Sequence, residues 1–473
     1  MLSVDPRRRV SATPLPCLSD PTFHYGPNHI ESNARLFSIS DGPMTPPRTA
    51  HRPVLAACLA TVLALAALCA PALGARLRSP VPAHAARSHA HAPALTARSR
   101  HAHAPVKPKA PVLDLYAKRA LAAYEAMQQN FYVASAGLYK GEPEYSFLWP
   151  FSQALAASVS VAHIAGEQPK LEPSLHALGA SLQVYASSTV APGETTASGA
   201  STAITVHSYD DITAPPIGPG GASYYDDNEW VGIELARIYE LNHDATALTG
   251  AQQIMQFVMA GWQATGAEGQ TLPCPGGVPF SNAKNNTQRN TITDGPAAEL
   301  GVQLYRITHE ARYLQFAEMA YGWVRECLLE PSGMYADHIE LDGEINHALW
   351  SYTQGVMIGA GTLLWQVTHE SSYLSEARAT AKAALVYFNY SKLSSENPFF
   401  AAVYFRNQIY FDSVTHEAPG TLSAREYAYW AWLRHRLSDN LFAYGSPPTA
   451  ELLGQAALTQ IYALLSISPR TYF

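Results

Sequence analysis

Beyond residue 112, apolar positions recur at spacings of three and four, the period of a helix with one buried face. Leu453, Ala457, Ile461 and Leu465 form one such stripe. The pattern predicts twelve helices, near 112–130, 147–165, 170–187, 227–242, 245–262, 290–308, 310–330, 347–368, 371–390, 396–414, 422–438 and 447–467. Strand-like alternation is scarce. Two kinds of connection alternate: tight turns, and long loops at 131–146, 188–226, 263–289, 331–346, 391–395 and 439–446. Six hairpins joined this way predict an all-α fold, an (α/α)6 barrel over residues 112–473. An open α-solenoid is the alternative. Function is expected where the long loops converge.

A faint internal repeat supports the pairing. Tyr239 to Asp244, Tyr305 to Glu310 and Trp365 to Glu370 share the form aromatic-x-x-x-His-acid. Tyr313-Leu314 and Tyr373-Leu374 then follow the last two at the same offset. His243, His309 and His369 are therefore expected to be turn residues complementing helix C-termini, not catalysts.

Residues 54–75 carry no charge and suit a secretory signal core or one membrane-spanning helix. Ala70, Ala72, Gly74 and Ala75 close the run with the small side chains that a signal peptidase needs. Met44, followed by Arg48 and Arg52, supplies a short basic start, so 44–75 is expected to be signal or anchor and 1–43 an extension ahead of the true start. Residues 76–111 alternate Ala, His, Pro and Arg without apolar periodicity and read as a disordered linker suited to an anionic cell envelope. The expected location is secreted or attached to the cell envelope.

Charge sharpens this division. Residues 1–111 hold 13 Lys and Arg against 4 Asp and Glu, whereas residues 112–473 hold 18 against 34. An acidic body argues against a nucleic-acid partner. Charged residues are 15% of the chain, too few for a coiled coil. Of the five cysteines only Cys274 and Cys327 belong to the helical body. They are either one disulfide in an oxidising compartment or two separate thiols. No spacing of Cys and His suggests a metal site.

The chemistry gathers in the long loops. Ser223 to Trp230 reads Ser-Tyr-Tyr-Asp-Asp-Asn-Glu-Trp. Adjacent carboxylates repel, which raises the pKa of one and leaves an acid beside a base. Glycoside hydrolysis requires such a pair, about 5–5.5 Å apart for retention of configuration and about 6.5–9.5 Å for inversion. Tyr224, Tyr225 and Trp230 offer apolar faces to a sugar ring. The competing reading is structural: Asp226 and Glu229 have the spacing of a capping box for a helix beginning at 227. Asp210-Asp211 shows that the dipeptide alone is not diagnostic. Gly276 and Gly277 allow close backbone approach to a ligand. Asn282, Arg289, Asn290 and Asp294 offer polar groups to hydroxyls, and Tyr352 and Gln354 are expected at the pocket. Gly355 and Gly359 are expected to let two helices pack closely. Tyr335, Asp337 and Asp342 are candidates for the pocket rim.

In this order, Tyr225-Asp226-Asp227-Asn228-Glu229-Trp230, Gly276-Gly277, Arg289-Asn290 and Ser351-Tyr352-Thr353-Gln354-Gly355 resemble glycoside hydrolase family 76, the endo-α-1,6-mannanase family. The resemblance implies an (α/α)6 barrel and retaining hydrolysis of α-1,6-mannosidic bonds, with Asp226 as nucleophile, Asp227 as acid/base and no metal or organic cofactor. Phe280 stands near the place of a common Trp, Thr353 replaces an Asn, Arg289 a Lys, and Asp294 an Asn. Those changes alter the subsite walls and leave the carboxylates intact. The expected partner is an α-mannan-type polysaccharide or oligosaccharide bound by a monomer. The alternatives are a non-catalytic cell-surface glycan-binding protein and another (α/α)6 carbohydrate-active enzyme with His207 or His338 at its centre.

Overall fold

The computed structural model describes residues 113–142, 144–195, 201–266 and 269–473, so the expected extension at 1–43, the apolar segment at 44–75 and the linker at 76–111 lie outside the described residues. The described helices are α1 (Leu115–Phe131), α2 (Leu148–Ala162), α3 (Gln168–Ser181), α4 (Tyr225–Asn242), α5 (Ala245–Ala260), α6 (Thr291–Thr308) and α7 (Ala311–Leu328). They continue with α8 (Ser351–Thr368), α9 (Ser371–Tyr387), α10 (Tyr390–Ser395), α11 (Pro398–Thr415), α12 (Pro419–Arg434) and α13 (Leu452–Leu464).

Six of them close a ring: α2, α4, α6, α8, α11 and α13 each pack on the next, and α13 returns to α2. The other long helices form an outer layer, α3, α5, α7, α9 and α12 each against the preceding inner helix and α1 against α13. This is the expected (α/α)6 barrel, not an open solenoid. Burial explains which helix goes where. Residues 291–304 of α6 are buried without a break, as an inner helix touched on all sides requires. In α7 the buried set is Tyr313, Phe316, Ala317, Ala320, Tyr321, Trp323, Val324 and Leu328, a single face turned to the ring. Gly355 lets α8 approach α11, since a Cβ there would lie 2.8 Å from the Cα of Tyr404.

Each inner helix except α13 leads through a short connection to its outer partner, and a longer segment precedes each inner N-terminus. The inner helices therefore run parallel, with all their N-termini at the loop end. At the other end the repeated histidines end four of them. His243, His309 and His369 have φ of 60° and His416 has 59°, each with its N–H bonded to the carbonyl four residues back. His416 is a fourth copy of the motif, hidden in the sequence because Asp412 takes the place of the aromatic residue.

The long loops hold more structure than expected. A short hairpin, β1 (Tyr132–Val133) with β2 (Leu138–Tyr139), follows α1. The segment read as a loop at 188–226 contains a long antiparallel hairpin, β3 (Ala186–Thr195) with β4 (Ser201–Tyr209), which packs on α5. The segment at 391–395 is the short helix α10. A three-stranded sheet of β5 (Gln288–Asn290), β6 (His338–Glu340) and β7 (Ile345–Asn346) ties the loop before α6 to the loop before α8. The loop before α6 is also held to the outer layer by a disulfide between Cys274 and Cys327, Cα atoms 6.0 Å apart.

Candidate active site

Asp226 and Asp227 stand in the first turn of α4, at the loop end of the barrel. The helix starts at Tyr225, two residues earlier than the sequence suggests, and its N-cap Tyr224 makes no side-chain capping bond. The capping-box reading of Asp226 with Glu229 therefore fails: both are inside the helix, and neither Glu229 oxygen has a hydrogen-bond partner. Asp226 is partly exposed but its Oδ1 is buried and unpartnered, while Asp227 is 9% exposed.

Burial pushes the Asp226 carboxyl up to about 7, partly offset by backbone N–H groups at the helix start. Asp227 is pushed well above the ordinary range, first by burial and then by the charges of Asp226 and Asp211. Two such raised carboxyls, adjacent in the chain, do not both ionise near neutral pH.

The elements around the pair are locked by their own bonds. Asn228 accepts from the N–H of Tyr209 at 2.7 Å and donates to the carbonyls of Tyr209 and Tyr224 at 2.9 and 2.7 Å, fixing the end of β4 against α4. Ser223 Oγ donates to Asp210 Oδ1 at 2.8 Å and lies 2.9 Å from Ser208 Oγ. Asp211 accepts from the N–H of Ala222 at 2.9 Å, and burial raises its pKa. The Asp210-Asp211 pair, undistinguished in the sequence, thus belongs to the wall of the site. What brings it there is β4, whose Ile204, Val206 and Ser208 point inward while Ala203, Thr205 and His207 are exposed.

The remaining candidates divide into wall and scaffold. Tyr224 is half-buried against the edge of Phe280, ring centroids 5.2 Å apart, and burial with the charges of Asp211, Asp227 and Asp226 raises its pKa. Tyr225 turns into the core and stacks on Phe257 at 4.3 Å. Trp230 is buried, edge-on to Phe399 at 5.8 Å. Tyr352 stacks on Phe400 at 3.9 Å. Gly276 and Gly277 have φ of 111° and 84°, and Cβ atoms there would strike the rings of Trp262 and Trp323 rather than a ligand. Asn282 accepts from the N–H of Ser223 at 3.0 Å, joining the loops before α4 and α6.

Arg289 is fully buried and donates to the carbonyls of Cys274, Gly276 and Pro273 at 2.6, 2.8 and 2.9 Å. Asp294 accepts from the N–H of Val278 at 3.0 Å, holding the glycine loop, and burial pushes its carboxyl well up. Asn290 is the N-cap position of α6 and makes no capping bond. Gln354 is fully buried, accepting from the N–H of Tyr335 at 2.8 Å and donating to its carbonyl at 2.9 Å. Asp337 Oδ2 lies 2.9 Å from His338 Nδ1, and Glu340 lies 3.2 Å from Nε2. Desolvation works against the charged ring, but the two carboxylates raise the His338 pKa overall. Tyr335 is buried and Asp342 serves an exposed turn, accepting from the N–H of Glu344.

Among the described residues the aspartates line neither of two cavities near the site. A groove of about 220 Å³, bordered by Tyr145, Phe147, Ile212, Ile217 and Pro219, lies beside the chain that follows Asp211. A cavity of about 10 Å³ lies inside the ring, bordered by Gln153, Trp230, Glu234, Glu299, Arg406 and Asn407. Among the described residues no group of three or more His, Cys, Asp or Glu could hold a metal ion.

The chain matches known proteins along most of its helical body. The model of glycosyl hydrolase family 76 matches residues 114–426. The mannan endo-1,6-alpha-mannosidase of Saccharomyces cerevisiae is 22% identical over 195 residues, 38% of this chain and 42% of that protein. The enzyme of the same name from Candida glabrata is 26% identical over 111 residues, 22% of this chain and 25% of that protein. The chain thus spans about a quarter to two fifths of the length of these relatives. In fold it is similar to a family 76 mannosidase from Bacteroides thetaiotaomicron, TM-score 0.63 at 19% identity, over 75% of this chain and 98% of that one. It is also similar to an inactive variant of an alpha-1,6-mannanase from Salegentibacter, with two consecutive aspartates replaced by asparagine, in complex with alpha-1,6-mannotriose. There the TM-score is 0.60 at 19% identity, over 74% of this chain and 99% of that one.

Proposed function

Because the chain belongs to glycosyl hydrolase family 76, we propose that it hydrolyses α-1,6-mannosidic bonds of an α-mannan with retention of configuration, using Asp226 and Asp227. The observation that carries this reading is the pair itself: two adjacent carboxyls at the loop end of the barrel, both with raised pKa values.

Asp226, the ionised member, attacks the anomeric carbon. The glycosidic C–O bond breaks as Asp227 gives its proton to the departing oxygen, leaving a mannosyl ester on Asp226. Asp227, now a carboxylate, takes a proton from water. The resulting hydroxide attacks the anomeric carbon, the ester bond breaks, and Asp226 returns to its carboxylate. Two inversions give net retention.

The neighbouring mannanase whose consecutive aspartates were replaced supports the assignment. A disulfide in the body supports an oxidising compartment, hence secretion or attachment to the cell envelope. Among the described residues no helix is long and apolar enough to cross a membrane. The test is to incubate the protein with α-1,6-mannan and follow the products by proton NMR. New reducing ends appearing first as the α-anomer support the proposal. First appearance as the β-anomer would exclude the retaining mechanism, and no turnover of any α-mannan would exclude the activity.

A further inference from the structure

Glu229 follows Asp226 by three positions on α4, the spacing that places side chains on one helix face. It is fully buried, and neither of its carboxyl oxygens has a hydrogen-bond partner. The charged groups that act on it are acids: Asp226 on its own helix, Asp294 and Glu299 on α6. Tyr225, the other titratable group that interacts with it, is neutral in the physiological range because burial raises its pKa. Nearby cations are engaged elsewhere. Arg289 serves loop carbonyls, and Arg406 on α11 pairs with Glu234. A carboxylate without a cation in such surroundings is far costlier than the acid form.

A neutral carboxyl has an O–H to donate. Asp226 Oδ1, one turn nearer the mouth, is buried and lacks a donor. We propose that Glu229 is a positioning residue: a neutral acid that donates its O–H to Asp226 Oδ1, holding the nucleophile ionised and leaving Oδ2 for the anomeric carbon. This rests on the assignment of Asp226 as nucleophile.

The sign of a pH shift distinguishes this role from others. Glu229→Met keeps the length of the side chain and removes the donor. Without the donor Asp226 becomes harder to ionise, so the acid limb of kcat/KM moves to higher pH by about one unit, and kcat at pH 6 falls about tenfold with KM little changed. Glu229→Gln keeps an N–H donor and recovers most of that loss. If Glu229 were an anion, its removal would ease ionisation of Asp226 and move the limb to lower pH. If it were only packing, the limb would stay in place. Either result overturns the proposal.

A second measurement is independent of activity. The infrared difference between wild type and Glu229→Gln should show a protonated carboxyl band that persists to pH 8. Absence of that band overturns the proposal even if the Met variant fails to fold. The band in a protein that turns over no mannan would leave Glu229 a neutral acid but would refute the catalytic assignment, and with it the positioning role.

Discussion

At the loop end of α4, Asp226, Asp227 and Glu229 have raised pKa values and no cation among the groups that act on them, whereas Glu234 and Arg237, further along the same helix, are buried and paired. Asp226 and Arg237 are separated by about 16 Å of helix at 1.5 Å per residue. Glu234 accepts from Arg237 at 2.6 Å and from Arg406 at 3.0 Å, and Arg237 also reaches Ser160 and the carbonyl of Thr471. Glu229 and Glu234 share a helix and full burial, so depth alone does not explain the difference. The paired set holds the ring closed. In the proposed mechanism the unpaired set keeps this cost because a base and an acid side by side need displaced pKa values.

Removing the acids should give the largest effect and leave the fold alone. Asp226→Asn should lower kcat roughly 10⁴-fold or more. Asp227→Asn should lower it about 10²–10⁴-fold. Both should melt at or above the wild-type temperature, because a neutral amide replaces a costly acid. Reducing-end release and thermal melts measured on the same preparations check this, and unfolding of either variant would erase the contrast with the paired set.

Breaking the pairs should do the reverse. Arg406→Met strips Glu234 of one of its two partners in the ring, leaving Arg237, and should lower the unfolding free energy by about 1.5–3 kcal/mol, read by denaturant titration. The folded fraction should retain its kcat within a few-fold. Gln354 tests the same rule at the mouth. Its amide is fully engaged with Tyr335, Trp350 and Thr353, so Gln354→Ala should cost about 1–3 kcal/mol of stability. Its KM for mannan should change less than about twofold; a larger rise in KM at unchanged stability would make Gln354 a ligand contact.

The smallest effect is a slope. Burial pushes Asp226 up to about 7, Glu299 to about 8 and Glu396 to about 7. In the unfolded chain such groups ionise near pH 4. Between pH 4 and 8 the folded protein therefore holds protons that the unfolded chain has released, so these groups make stability fall as pH rises. Glu299→Gln should flatten the upper part of that fall. Melting temperatures from pH 4.5 to 8 decide it, and an equal slope in the variant would mean that Glu299 is not the group titrating.

Much of this architecture is written locally. The three-and-four spacing marks the inner and outer helices because a helix face repeats within one turn. The aromatic-x-x-x-His-acid motif marks the turns because a residue at φ near 60° and the next helix start are adjacent. The β3–β4 hairpin escaped notice because its strands are rich in Ser, Thr and Ala, which dilutes the contrast between inward Val206 and outward Thr205. Asp210 and Asp211 were passed over for the same reason, since their importance comes from the strand that delivers them. The role of Gly276 and Gly277 was also out of reach, because the rings that demand glycine belong to Trp262 and Trp323.

The sequence by itself determined the helices, the alternation of turns and loops, and the adjacency of the two aspartates, because these depend on contacts a few residues apart. Which charges would be matched was decided only when distant helices met. Arg406 reaches Glu234 across 172 positions of chain, and Glu229 meets Asp294 and Glu299 across the gap between α4 and α6. Charge interactions depend on separation in space and on how much water is removed, and neither exists until the ring has closed.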